Sequence, residues 1–391
     1  MDVTRFDDRI VATAVASLPL VGPQRLRLLL HELGPRTAWL TITGEIAPTA
    51  RIAALLTHDE LGRRWRAAAT HDLLVRASDV VSTRRITVIM SNDDAYPECL
   101  RGDPSAPALL FAVGDPSALR HRRVGVVGTR AASASGRHFA KSLSRDLAQA
   151  GVAVVSGLAR GIDGAAHRGA LDARIASITP SIAPPITPSI APPIAPPIAV
   201  VASGVDVVYP REHAALWSEV ERHGVVLSES PPGCAPDAFR FPLRNRILAA
   251  LSEVLVVVES RATGGSMITV DEALKRGIAV MAVPGSPHNP ASAGTNLLLS
   301  QGAATVCDAT DVLVALGLDH RRDRVRCEHR VAPSIEDGVV LDALAHAPLT
   351  FDQLVARVGL PLSDVALRLG RLEAHGWVTS NAGWWEALVS R

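Results

Sequence analysis

Residues 123–171 read RVGVVGTRAASASGRHFAKSLSRDLAQAGVAVVSGLARGIDGAAHRGAL, and this stretch decides the fold. It opens on the apolar run Val124-Gly125-Val126-Val127, the trace of a strand buried on both faces. The run ends at Gly128-Thr129-Arg130. Ser133, Ser135 and Gly136 then lead into a helical pattern through Phe139, Leu143 and Leu147. A second apolar run, Val152 to Val155, ends in the same manner at Ser156-Gly157, followed by Gly161, Asp163 and His167. Two strands thus each deliver a small-residue turn to the start of a helix. Free backbone N–H groups and the positive helix end are expected to gather there, and such places bind phosphate.

Neither turn reads GxGxxG, and no GxxxxGK[ST] occurs, so the usual dinucleotide and nucleoside-triphosphate loops are missing. Tight strand-to-helix packing alone would explain the glycines of one such turn. Two consecutive turns, one carrying Arg130 and the other Asp163 and His167, favour a binding edge.

GTRAASASG, SGLARGIDGAAH, YPREH, FPLRNR, GGSMIT and VPGSPHNPASAGTN follow one another along the chain. In this order they resemble the bacterial DNA-processing protein A family (DprA, also called Smf), over roughly residues 85–315 with weaker matches on both flanks. The resemblance implies a non-catalytic protein that binds single-stranded DNA, coats it cooperatively as a homodimer and loads the recombinase RecA during natural transformation. Gly264 departs from the Ser-Gly-Ser more usual in the family, which removes one hydroxyl from that turn.

A chain of 391 residues suggests two or three domains, and 48% hydrophobic residues leave ample material for their cores. The longest apolar runs, such as Val254 to Val258, are too short to span a bilayer. The N-terminus, MDVTRFDDRI, is acidic and lacks the layout of a secretory signal, so a cytoplasmic protein is expected, with no membrane partner. Cys99, Cys234, Cys307 and Cys327 lie far apart without a CxxC pair, so neither a structural zinc site nor a disulfide framework is expected. A net charge of +1 excludes a uniformly basic nucleic-acid coat but leaves room for a local patch. Lys141 and Lys275 are the only lysines; arginine supplies the remaining cations and suits bidentate phosphate contact.

Residues 1–80 read as a helical domain, with apolar spacing over Ile10–Leu18, Leu26–Leu33 and Ile52–Leu61. Leu18-Pro19-Leu20-Val21-Gly22-Pro23 then resembles the turn of a helix-hairpin-helix, although Gly22 stands where many such hairpins carry two glycines. The region reads equally as a packing or oligomer-contact domain and as a grip on DNA. Residues 81–318 read as a doubly wound, largely parallel Rossmann-like sheet with its turns on the carboxyl edge. Ser117 to Arg145 carries seven basic residues and no acidic one, mostly a solvated face, with Arg130 set apart by its place in the turn.

Within that core, residues 178–197 repeat ITPSIAPP and continue into IAPP, a proline density that favours an exposed polyproline insertion. Phe239-Arg240-Phe241-Pro242-Leu243-Arg244-Asn245-Arg246 combines guanidinium groups for phosphates with rings for bases. The competing reading places Phe241 in the core and pairs Arg244 or Arg246 with Glu253 or Glu259. Residues 319–334 read as a charged linker, and 335–391 as a winged helix. Residues 338–391 hold four basic and five acidic residues, which favours a protein-interaction or regulatory module over a reader of duplex DNA.

The expected phosphate and DNA site therefore comprises Gly128, Thr129, Arg130, Ser133 and Gly136 at the first turn, and Ser156, Gly157, Gly161, Asp163 and His167 at the second. Arg240, Phe241, Arg244, Asn245 and Arg246 follow, with Gly265, Ser266, Thr269, Gly285 and Asn296 from later turns. Asp163 and His167 are expected to hold their turn by hydrogen bonds. The resemblance implies no catalytic residue, no cofactor or metal is expected, and no ATP hydrolysis is expected because neither a phosphate loop nor a magnesium-binding pair is evident. The alternative is a nucleotide-binding enzyme of similar fold, of phosphoribohydrolase type, with Asp163 and His167 as acid and base. Against it, the PGGxGTxxE motif of those enzymes is absent, and Thr263-Gly264-Gly265-Ser266 with Glu272 imitates it poorly.

Overall fold

The computed structural model describes residues 3–57, 60–178, 193–318, 333–344, 349–375, 377–381 and 383–387. Two units result, Met1–His320 and Arg321–Arg391. Most of the proline-rich insertion and of the charged linker lies outside the described residues.

The first unit begins with five helices: α1 (Asp8–Ala16), α2 (Gly22–Thr43), α3 (Ala50–Thr57), α4 (Leu61–Ala68) and α5 (His71–Thr83). The expected single helix over 52–61 is divided between α3 and α4, because Glu60 takes a left-handed backbone (φ 58°) that no helix continues through. Gly34 (φ 72°) similarly kinks α2 ahead of Pro35.

A nine-stranded sheet follows: β1 (Thr87–Met90), β2 (Leu109–Gly114), β3 (Arg122–Val127), β4 (Val152–Ser156), β5 (Ile198–Val200), β6 (Val225–Ser228), β7 (Val254–Val257), β8 (Ala279–Ala282) and β9 (Ala304–Thr305). Their order is β1-β2-β6-β5-β4-β3-β7-β8-β9. The pairs among β6, β5, β4, β3, β7, β8 and β9 are parallel, and β1 and β2 extend the sheet antiparallel at one edge. The connecting helices are α6 (Ala134–Gln149), α7 (Ile162–Ile178), α8 (Ala214–His223), α9 (Arg240–Leu251), α10 (Gly265–Leu274), α11 (Ala293–Ser300) and α12 (Ala309–Ala315).

Val124 and Val126 of β3 pack with α6 and α7 on one face, while Val127 packs with α9 and α10 on the other. Burial on both faces explains why these strands are apolar throughout rather than alternating. Toward β1, a further cluster joins the sheet (Val88, Phe111, Val226) to the N-terminal helices through Leu26, Trp39, Trp65 and Leu74. The chain winds from β3 to β4 in one direction and returns to β7 on the other side, so the strand order reverses between β3 and β7. The carboxyl ends of strands at such a reversal leave a crevice.

The second unit holds α13 (Ile335–Ala343), β10 (Leu349–Thr350), α14 (Phe351–Val358), α15 (Leu362–Ala374), β11 (Val378–Asn381) and β12 (Trp384–Ala387). Its three-stranded sheet runs β10-β12-β11, one strand more than the expected two-stranded wing. Thr350 and Gln353 form a capping box on α14. Arg368 and Arg371 of α15 are engaged by α13: Arg371 bonds Asp337 at 2.6 Å, and Arg368 meets Glu336 at 3.8 Å. Among the described residues no helix is long and apolar enough to cross a membrane.

Candidate nucleic-acid interface

A cleft of about 720 Å³ opens at the β3/β7 reversal. Its walls are the turn after β3, the start of α7, one side of α9 and the first turn of α10. The first two turns are tied together by Ile162 N–H donating to Thr129 O (3.3 Å), and the first is tied to the end of β7 by Thr129 N–H donating to Glu259 O (2.7 Å). Gly161 makes this possible: its φ is +74°, and a Cβ there would run into the carbonyl of Thr129.

The N-terminus of α6, where the sequence places a phosphate, is already occupied by an internal anion. The buried Glu259 carboxylate accepts from Ser133 N–H (2.8 Å) and Ser133 Oγ (2.5 Å), and the Ser133 hydroxyl in turn accepts from Gly136 N–H (2.9 Å). The turn before α7 is filled likewise, since the Asp163 carboxylate accepts from the backbone N–H groups of Gly157 and Ala159. Each carboxylate satisfies the donors a ligand would otherwise use. The start of α10 is different. Its N-cap is Gly264, no side chain caps it, and Gly265 and Ser266 line the cleft.

Arg244 projects from α9 beneath this open end. It is only 7% exposed, its Nη1 lies 3.9 Å from Asp163, and its Nε is buried without a hydrogen-bond partner. Burial pushes the Asp163 carboxyl up and the Arg244 guanidinium down, and the positive charge of Arg130 pushes Arg244 further down. Arg244 is thus held 3.9 Å from its counter-ion in the lining of the cleft. Arg130 is exposed and stacks over the Phe241 ring at 4.7 Å, and Phe241 packs against Tyr209 at 5.8 Å. Arg261 adds an exposed cation to the same lining, and Asn245 Nδ2 approaches Gly265 O at 3.5 Å.

Of the expected residues, Gly128, Thr129, Arg130, Asp163, Phe241, Arg244, Asn245, Gly265, Ser266 and Thr269 line this cleft, and Gly157 lines its continuation toward Tyr209. The others lie elsewhere. Ser133 and Gly136 hold Glu259, and Ser156 Oγ donates to Val126 O at 2.7 Å in the sheet. Gly285 and Asn296 bond each other, with Gly285 N–H to Oδ1 at 3.1 Å and Nδ2 to Gly285 O at 2.9 Å. Arg240 and Arg246 face the opposite side of α9.

Arg246 pairs with Glu229 at 2.5 Å and Arg244 lies 3.9 Å from Asp163; neither pairs with the Glu253 or Glu259 of the competing reading. Those two acids are engaged by Arg122 and by Ser133. Asp163 holds its turn as expected, but His167 does not. Both of its ring nitrogens are buried without a hydrogen-bond partner at normal geometry, and burial pushes its pKa down to about 3 despite a favourable approach to the Ser156 backbone. The sequence reading missed Arg261 and gave Tyr209 no role. An arginine just before a glycine turn at a strand end was the available signal for the first.

The profile of the family described as DNA recombination-mediator protein A matches residues 87–189 and 193–317, and that of the DprA winged helix domain matches 330–383. The DNA processing protein DprA of Bacillus subtilis is 36% identical over 232 residues, 59% of this chain and 71% of that one. Protein Smf of Escherichia coli is 33% identical over 304 residues, 76% of each chain. The X-ray structure of DNA processing protein A from Streptococcus pneumoniae superposes with a TM-score of 0.62 at 29% identity, over 79% of this chain and 98% of that one. The same protein from Helicobacter pylori, whose structure was reported for its single-stranded DNA binding mode, gives 0.50 at 25% identity over 61% and 98%. A parallel sheet reversing at β3/β7, the motifs in their order and a C-terminal winged helix thus have one common source: the chain belongs to the DNA recombination-mediator protein A (DprA/Smf) family.

Proposed function

We propose that this protein binds single-stranded DNA in the β3/β7 cleft, without catalysis, and that as a homodimer it loads RecA onto the bound strand. The observation that carries the binding site is Arg244, a buried guanidinium with an unmet donor beneath the uncapped start of α10. Phosphates rest on Arg244, Arg130, Arg261 and the first N–H groups of α10. A base stacks against Phe241 and Tyr209, a use open to any base because each has a π face. A sequence-tolerant cleft with few cations suits a flexible single strand better than a duplex. Family membership as a recombination mediator supports the RecA step and the homodimer.

The test is fluorescence anisotropy of a labelled single-stranded oligonucleotide across a salt series, with duplex as competitor. Wild type is expected to prefer the single strand, and Arg130→Ala and Phe241→Ala each to weaken binding at least tenfold. Equal affinity for duplex, or unaffected variants, would overturn the site. The RecA step is read separately, as faster RecA filament growth on strands coated with single-strand-binding protein.

A further inference from the structure

The motif around α9 does not end at the sheet-edge cleft. A second cavity, of about 540 Å³, lies on the other side of α9 between that helix and the α1–α2 turn. Its floor is apolar, with Leu18, Leu26, Val201 and Ile247. Arg244 lines both cavities, so its largely buried side chain is the wall the two share.

The rim of this cavity carries two large apolar side chains facing solvent, Phe239 at 60% and Leu20 at 63% exposure. Arg240 lies over the Phe239 ring at 4.9 Å and donates to Ser230 Oγ at 3.1 Å. Leu20 sits at φ 59°, a conformation that costs a non-glycine residue energy and is held here by its surroundings. Pro19 O accepts from the buried Trp65 Nε1 at 2.8 Å, and Leu20 O accepts from Arg25 Nη1 at 2.8 Å. Glu229 is the acidic group in this lining, and Arg246 holds its carboxylate at 2.5 Å; Asp237, just outside the lining, pairs with Arg240 at 3.5 Å, so a phosphate there shares Arg240 with that carboxylate.

We propose that the single strand, once seated as described under Proposed function, passes around Arg244 into this second cavity. There one nucleotide stacks on Phe239 over the apolar floor, with its phosphate against Arg240 and Arg25. The inference rests on that earlier reading and extends it to the N-terminal helices, which become one wall of the strand's path.

Oligothymidylates of about five and about fifteen nucleotides separate the two sites, since the shorter fills only one. Phe239→Ala is expected to weaken the long strand about tenfold and leave the short one unchanged, while Phe239→Trp restores the long-strand affinity. Arg130→Ala weakens both. Phe239→Ala acting equally on both lengths, or on neither, overturns the proposal and leaves the first site standing. Free thymidine monophosphate taken up by wild type, with no length effect of Phe239→Ala, overturns it in favour of a mononucleotide site. Wild type binding neither oligonucleotide overturns the first site itself.

Discussion

Arg244 owes its position to the missing side chain of Gly157, because a Cβ there would overlap the guanidinium and crowd the Asp163 carboxylate. Gly157→Ala is therefore expected to displace Arg244, weaken single-strand binding more than tenfold and cost about 1–3 kcal/mol of stability through overpacking. Anisotropy and urea unfolding on the same variant check both effects, and unchanged affinity would detach Arg244 from the binding role. His167 makes a second prediction. Its pKa falls from an ordinary 6.5 to about 3 on folding, so the folded state resists a proton that the unfolded state accepts. The stability this group contributes is complete above about pH 6.5 and is lost as pH falls toward 3. Between about pH 7.5 and about pH 5 the loss amounts to about 2 kcal/mol. His167→Leu removes it, so the variant's unfolding free energy is expected to fall by that much less over the same range. At this scale the sequence was only partly readable. Gly157, Asp163 and Arg130 stood out as chemistry-bearing residues, but the role of Glu259 as an internal anion at α6 depends on a strand end more than a hundred residues away.

On α9 the helical repeat sorts one cationic motif into two. Phe241, Arg244, Asn245 and Leu248 face the sheet-edge cleft, while Arg240, Leu243 and Ile247 face the N-terminal helices. FRFPLRNR announces a helix start and a set of contacts, yet nothing local says which arginine meets ligand and which meets protein. That choice is made by Asp163 and Glu229, brought in from the start of α7 and the end of β6. Arg246 and Glu229 are about one-tenth exposed at 2.5 Å, so Arg246→Ala leaves a buried carboxylate alone. The expected cost is about 3–5 kcal/mol in chemical denaturation. Arg246→Met combined with Glu229→Leu, which removes both charges, should recover most of it. Full recovery of stability without loss of strand affinity would confirm that this arginine belongs to the fold and not to the ligand.

For the whole molecule, the alternation of apolar runs and small-residue turns in 123–171 was enough to imply a doubly wound sheet. The place where its winding reverses was not, because strand order emerges only when β7 returns beside β3. That reversal explains how a chain of net charge +1 can present a cationic site at all. Arg130, Arg244 and Arg261 gather at that crevice, while both arginines of α15 are tied to acids. The salt dependence of binding follows from this. For an oligonucleotide of about five nucleotides, which fills only the crevice, about three cations (Arg130, Arg244 and Arg261) meet phosphate, and each displaced counter-ion contributes about 0.7 to the slope, so log affinity against log salt should fall with a slope of about −2. A coat of surface arginines would give a far steeper line. Arg261→Ala should reduce the slope by about 0.7 while preserving its linearity, and Arg368→Ala in the winged helix should leave it unchanged. A measured slope steeper than about −4, or one that Arg368→Ala flattens, would move the strand onto surfaces outside the crevice.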